Sequence, residues 1–352
     1  MIDAADRARK LAFRLIGSAG LGALARPLVG GIGAILMLHR VTASSDRPDG
    51  PNRHLGITPA FLDVLIGEMK RLGYVFVSMD EAVARIRAGG KAGQFAAITA
   101  DDAYRDNLTE ALPVLESHAA PIAIYVAPGL ISGAVDLWWE VVDAIVEAGK
   151  PVALKRANGE VHLDCATPEA RRRAFQCLST HLTEHVQEQD QRALLSEWAL
   201  SAGVDASEPG RKLLMNWDEI RRVADHPLAT IGAHTVHHYN LKRLTPEAAM
   251  REMYRSRSLI EGELGQAPRH FAYPYGYAAA VGLRETHLAR EAGFLSAVTT
   301  RHGIVRPEHA SHLHALPRLS VNGRHQNLGA MRAMLSGATT VMASRGRRVV
   351  TV

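Results

Sequence analysis

The residues best suited to chemistry are His234 and His238, four apart in the run Ile231-Gly232-Ala233-His234-Thr235-Val236-His237-His238. Four residues is about one helical turn, so both imidazoles come to one side if the backbone curls there. Imidazole suits zinc and related divalent ions, and two histidines plus one carboxylate form a three-point mount that leaves positions open for water and substrate. The His-Glu-x-x-His arrangement of zinc proteases is excluded, because Thr235 stands where the general-base Glu is needed. A base must come from elsewhere. The plainer alternative, histidines hydrogen-bonded at a polar strand end, stays open in a chain with 17 of them.

Carboxylates of the right kind occur at Asp101-Asp102, directly after the apolar run Ala96-Ala97-Ile98-Thr99. Successive residues at a strand end point different ways, so one carboxylate can serve a metal while the other faces a water. Helix capping is the ordinary alternative for such a pair. A second strand-end candidate is His39, which follows Ala34-Ile35-Leu36-Met37-Leu38, a run apolar on both faces. In parallel α/β folds the C-terminal strand ends carry the chemistry.

Composition sets the frame for these candidates. With 352 residues, 47% of them hydrophobic and 22% charged, the chain can bury a large core as one barrel or two medium domains, and no disordered block is evident. The net charge of +5 is spread among acidic residues. A nucleic-acid partner is therefore not indicated, and anionic glycans or a membrane surface fit the balance equally. Cys165 and Cys177 form no Cys-x-x-Cys pattern, which argues against a disulfide framework and for a reducing compartment. Near the N-terminus, Arg14 and Arg26 interrupt the apolar residues 11–28, so neither a signal core nor a spanning helix of about 20 residues fits. An amphipathic helix over residues 1–30 is expected, packed on its own domain or peripheral at a membrane. The expected location is cytoplasmic or at the inner membrane face.

The elements that must position the candidates follow in order. Thr58-Pro59 opens a helix with Phe61, Leu62, Leu65, Ile66 and Met69 on one face, and Ser78 starts another. Strands are predicted at 34–38, 74–77, 96–99, 122–126, 230–232, 271–273, 297–299 and 316–319. About eight strands alternating with helices predict parallel βα units closing as a barrel. Residues 136–228 break this rhythm and read as a mostly helical insertion that shapes substrate access, with a small hairpin around Asn158-Gly159. The domain is expected over 31–335, followed by a flexible tail at 336–352.

Three fragments then combine: Thr99-Ala100-Asp101-Asp102, His234-Thr235-Val236-His237-His238 and Phe271-Ala272-Tyr273-Pro274-Tyr275-Gly276. In this order, each at a strand end, they resemble the polysaccharide deacetylase family, the NodB-homology carbohydrate esterases, in the branch with a Phe-Ala-Tyr-Pro-Tyr-Gly third motif. The resemblance implies a distorted (β/α) barrel with a divalent metal, zinc foremost, held by Asp102, His234 and His238. It implies Asp101 as general base toward the attacking water and the Tyr275 backbone N–H as a donor to the oxyanion. It also implies a metal-dependent N-deacetylase acting on an acetylated amino sugar of a bacterial surface glycan or its precursor.

The chain departs from the family at several points. Ala100 and Ala103 replace Phe and Gly beside the Asp pair. Ala272 stands where many members carry an Arg that orients the base, and Arg318 on a late strand is the expected substitute. The Leu-x-His motif that supplies a general acid is not recognisable, which leaves His39, His312 and His314 as candidates. Two alternatives accompany this reading: a sugar-binding pseudoenzyme, and hydrolysis of a non-sugar carbon–nitrogen bond on the same barrel.

Overall fold

The apolar runs become one parallel sheet in the computed structural model, which describes residues 29–43, 50–156 and 159–352. Its strands are β1 (Gly33–Leu38), β2 (Val75–Phe76), β3 (Phe95–Ala100), β4 (Ile122–Val126), β5 (Ala229–Ala233), β6 (His270–Ala272), β7 (Ser296–His302) and β8 (Leu316–Ser320). Seven of them close in the order β1-β8-β7-β6-β5-β4-β3, with β3 pairing back onto β1 from Gly33↔Phe95 to Leu38↔Ala100. The expected eighth member, β2, stays outside the ring. It pairs only with Phe95 and Ala96, below the point where β4 joins β3 at Ile98, and Val75 is 53% exposed. A strand of two residues with one wet face is too short to close a barrel.

Strands β1, β3 and β4 are buried along their whole length, as parallel strands covered on both faces must be. Side chains alternate between two cores. Ala34, Leu36 and Leu38 pack outward with the helices, while Ile35, Ala97, Ala123, Tyr125, Ala272, Val298 and Leu316 fill the interior. Gly33 is needed where β1 crosses β3, because a Cβ there would lie 2.6 Å from the Phe95 ring. The covering helices begin as their sequences dictate. The Thr58 hydroxyl accepts from the Phe61 N–H (3.1 Å) ahead of helix Pro59–Arg71, and Thr245 caps helix Pro246–Leu264, which stops at the left-handed Gly265.

The insertion carries helices Trp138–Glu147, Pro168–Thr180, Gln191–Ala202 and Glu208–Leu213, and an antiparallel hairpin of Val152–Arg156 with Gly159–Leu163. Val142, Ile145, Leu154, Leu178, Leu195 and Trp198 give it a core of its own. Helix Trp217–Ala224, placed in the insertion by sequence, instead sends Ile220 and Val223 into the barrel's outer core, so it is the crossover into β5. Residues 336–352, expected to fray, contain helix Ala338–Ala343. The last residues are tied down where the Val350 carbonyl meets His309 Nε2 (3.0 Å) and the Thr351 carbonyl accepts from Arg301 (2.7 Å). The expected N-terminal helix falls almost wholly outside the described residues. Among those described, no helix is long and apolar enough to cross a membrane.

Candidate metal centre and active site

Three loops at the C-terminal ends of β3, β5 and β6 meet over the barrel. Seven non-glycine residues among those described have positive φ, and five lie in these loops: Asp102 (69°), Ala103 (55°), Thr235 (59°), His238 (56°) and Tyr275 (63°). Such conformations cost on the order of 1–3 kcal/mol each and concentrate where function holds them. They turn each chain sharply off its strand. The histidine segment is therefore not the helical turn that the spacing suggested. Left-handed residues at Thr235 and His238 bring the two imidazoles together, with ring centroids 5.0 Å apart.

Asp102 Oδ1 lies 3.5 Å from His234 Nε2 and 3.5 Å from His238 Nε2, and all three residues are buried. A carbonyl can only accept, so the 2.7 Å contact from His234 Nδ1 to the Ala272 carbonyl puts the proton on Nδ1 and leaves the Nε2 lone pair facing the carboxylate. Asp102 Oδ1 is buried without any hydrogen-bond donor among the described residues. Burial, with the charge of Asp101 beside it, pushes the Asp102 carboxyl well above the usual carboxylate range. A buried carboxylate oxygen facing two imidazole nitrogens is a donor set that a divalent cation satisfies, and the ion's own charge reverses that shift.

Beside this trio, Asp101 is gripped by Arg318. The guanidinium forks onto Oδ1 (2.8 Å) and Oδ2 (2.7 Å), and is itself fixed by the Thr299 carbonyl (2.9 Å) and Thr99 Oγ1 (3.1 Å). The alternation of strands explains the meeting. Ala97, Thr99 and Asp101 face inward along β3 and beyond it, as Leu316 and Arg318 do on β8, and these two strands flank β1. Burial alone raises the Asp101 carboxyl, but the charge and hydrogen bonds of Arg318, aided by His234 and His39, outweigh it and hold Asp101 ionised well below the usual range. The guanidinium on Asp101 in this chain is thus that of Arg318.

His39 continues the inward face of β1 and senses Asp101, Arg318 and His234. Burial brings its imidazole down to about 4, with Asp101 only partly offsetting that. His39 is neutral at neutral pH. His312 and His314 lie elsewhere, in the segment leading into β8. There His314 Nε2 meets the carbonyl of Phe294, which leads into β7, so both sit on the entry side of the barrel, away from the Asp and His cluster. The expectation that either substitutes as acid is not met by their position.

Two walls of the site went unread in the sequence. Trp138 and Trp139, at the start of helix Trp138–Glu147, reach it from the insertion. Trp138 stacks with Tyr275 (centroids 6.5 Å, 26°), and Trp139 lies 5.0 Å from the His238 ring. Trp139 Nε1–H donates to the Tyr104 hydroxyl (2.7 Å), two residues beyond Asp102. Among the described residues no acceptor is found for the Tyr275 N–H, while its carbonyl is held by Thr300 Oγ1 (2.7 Å). Next to it Gly276 is required, because its φ is 61° and a Cβ would lie 2.5 Å from the Thr300 nitrogen.

A cleft of about 1420 Å³ runs between the barrel loops and the insertion, past Arg40, His54, Glu140, Phe175 and Lys212. The Asp and His trio does not line it. The two are joined through Tyr104, whose ring sits under Arg40 (5.3 Å) and whose hydroxyl is 3.4 Å from Glu140 Oε1.

The polysaccharide deacetylase family model matches residues 180–294, which include the histidine pair and the third motif but not the Asp pair. No curated protein matches by sequence. Among solved structures, the Streptococcus pyogenes deacetylase PplD in complex with acetate is 18% identical, with a TM-score of 0.56 over 86% of this chain and 96% of that one. IcaB from Ammonifex degensii is 18% identical, with a TM-score of 0.53 over 87% and 97%. A de-N-acetylase from Aggregatibacter actinomycetemcomitans is 14% identical, with a TM-score of 0.52 over 86% and 99%. Residues 180–294 thus match the polysaccharide deacetylase family model, and the barrel as a whole has the fold of these solved deacetylases.

Proposed function

We propose that the protein is a divalent-metal-dependent N-deacetylase that releases acetate from an N-acetylated amino sugar of a bacterial surface glycan or its precursor. One observation carries the reading: the buried Asp102, His234 and His238 donor set stands next to a second carboxylate, Asp101, that Arg318 keeps ionised. Asp102, His234 and His238 would hold a divalent ion, zinc foremost, which would supply Lewis acidity and lower the pKa of a water. Asp101 is the proton acceptor. Its fork to Arg318 aims it and keeps it charged, at some cost in basicity. The Tyr275 N–H donates to the oxygen on which charge develops. Trp138 and Tyr275 shield the reacting centre and offer ring faces to the sugar.

The departing amine needs a proton that neutral His39 does not hold, so the proton gained by Asp101 is the one at hand. The same shortage favours a second reading, a sugar-binding pseudoenzyme. Acetate release from a panel of N-acetylated saccharides separates the two. Release that stops on chelation and returns with zinc is the expected result, whereas saccharide binding without acetate release would replace the enzyme reading by the second. The N-terminal residues, proposed as a peripheral membrane contact at the inner face, are tested by vesicle co-sedimentation of the full chain.

A further inference from the structure

The loop that carries His234 and His238 pairs its backbone with groups outside the site. The His234 N–H donates to the Val126 carbonyl (2.9 Å), and the Val236 carbonyl accepts from the Gly129 N–H (2.8 Å). At Gly129 there is no room for a side chain, since a Cβ would lie 2.5 Å from that same carbonyl oxygen. Three further donors of the loop converge on one carboxylate. Glu252, 8% exposed on helix Pro246–Leu264, accepts from the Val236 N–H (3.0 Å) and the His237 N–H (2.9 Å) on Oε2, and from His237 Nδ1 (2.6 Å) on Oε1. Hydrogen bonds to an ionised acceptor are about twice as strong as neutral ones. These three fall between Thr235 and His238, the two left-handed residues whose strain must be offset for the imidazoles to converge.

We propose that Glu252 is the positioning residue of the metal centre: it touches neither metal nor substrate, and fixes the spacing of His234 and His238 by holding the backbone between them. The His237 side chain also meets this carboxylate and its ring stacks on Tyr239 (5.0 Å), but the backbone bonds are what set the spacing. The inference rests on the metal-centre reading given above. A residue of this kind affects metal affinity, whereas a residue that only stabilises the helix affects melting alone.

The test is the zinc dissociation constant of the full chain, measured by chelator competition well below the melting temperature, with folding followed by circular dichroism. Glu252→Asp, which withdraws the carboxylate by one methylene, is expected to bind zinc about 10–100-fold more weakly, the range for outer-shell partners of metal ligands. Glu252→Gln keeps an oxygen for both backbone donors and should stay within a few-fold of wild type. His237→Ala leaves both backbone bonds in place and should do the same. A folded Glu252→Asp protein with wild-type zinc affinity would overturn the inference, as would Glu252→Gln losing as much affinity as Glu252→Asp. If the wild-type chain binds no zinc, the metal reading falls and this inference with it; wild-type binding with unaltered variants removes this inference alone.

Discussion

Replacing Asp101 by Asn is expected to lower acetate release by about 10²–10⁴-fold, the range for loss of a positioned general base, while zinc binding by Asp102, His234 and His238 persists. The amide has the carboxylate's shape but cannot take a proton. It also leaves Arg318 short of a countercharge in a fully buried position, so the variant should be less stable as well. The kinetic comparison is therefore made on the folded, zinc-loaded fraction, with metal content measured on the same sample. Wild-type turnover in that fraction would remove Asp101 as the base.

Arg318→Met is expected to be more damaging to the fold than to the site's shape. The Arg318 side chain is 0% exposed and that of Asp101 4%. Deleting one partner of such a pair costs about 3–5 kcal/mol, because the other charge is left buried and unpaired. Removing both charges together is far less costly, since an apolar or neutral replacement of a buried ion pair is often close to neutral. Asp101→Asn combined with Arg318→Met should thus recover part of the stability lost in Arg318→Met alone. Urea midpoints for the two single variants and the double variant supply the cycle. Strict additivity of the two losses would contradict the pairing. Arg318→Lys is expected to fall between wild type and Arg318→Met, because an ammonium cannot reproduce the fork onto both oxygens.

Much of this arrangement was legible from alternation alone. Once Ala97 and Ile35 are taken as interior residues, period two carries the same face to Asp101 and His39; likewise Leu316 leads to Arg318 and Gly232 to His234. The four polar residues therefore gather at one end of the barrel, because His39, Asp101 and His234 are each the next inward position past an apolar strand and Arg318 is an inward position within β8. Arg318 could be anticipated as the partner of Asp101 on that ground. The histidine turn could not. Its geometry depends on a β-branched Thr235 at positive φ, a conformation that propensity argues against and that only the surrounding hydrogen bonds sustain.

Contacts between remote segments were equally hidden. Glu252 reads as one more charged residue of an amphipathic helix, and nothing in its neighbourhood announces that its carboxylate turns toward the metal loop. Trp138 and Trp139 read as helix packing because their roles depend on how the insertion folds back over the barrel. The tail at 336–352 looks free by composition, yet the Thr339 and Thr340 hydroxyls and the Val350 and Thr351 carbonyls tie it to the barrel, pairings with remote residues that composition does not reveal. The outlying strand β2 is a matter of length: two residues carry too few hydrogen bonds to compete for a place in the ring.

Zinc stoichiometry is the most direct test of the centre on which this chemistry depends. The wild-type chain, stripped and reloaded, is expected to retain one zinc per chain through gel filtration, and His234→Ala and Asp102→Ala are expected to retain essentially none while keeping their circular dichroism. Equal zinc content in the folded variants and the wild type would contradict the assignment of Asp102, His234 and His238 as the metal site.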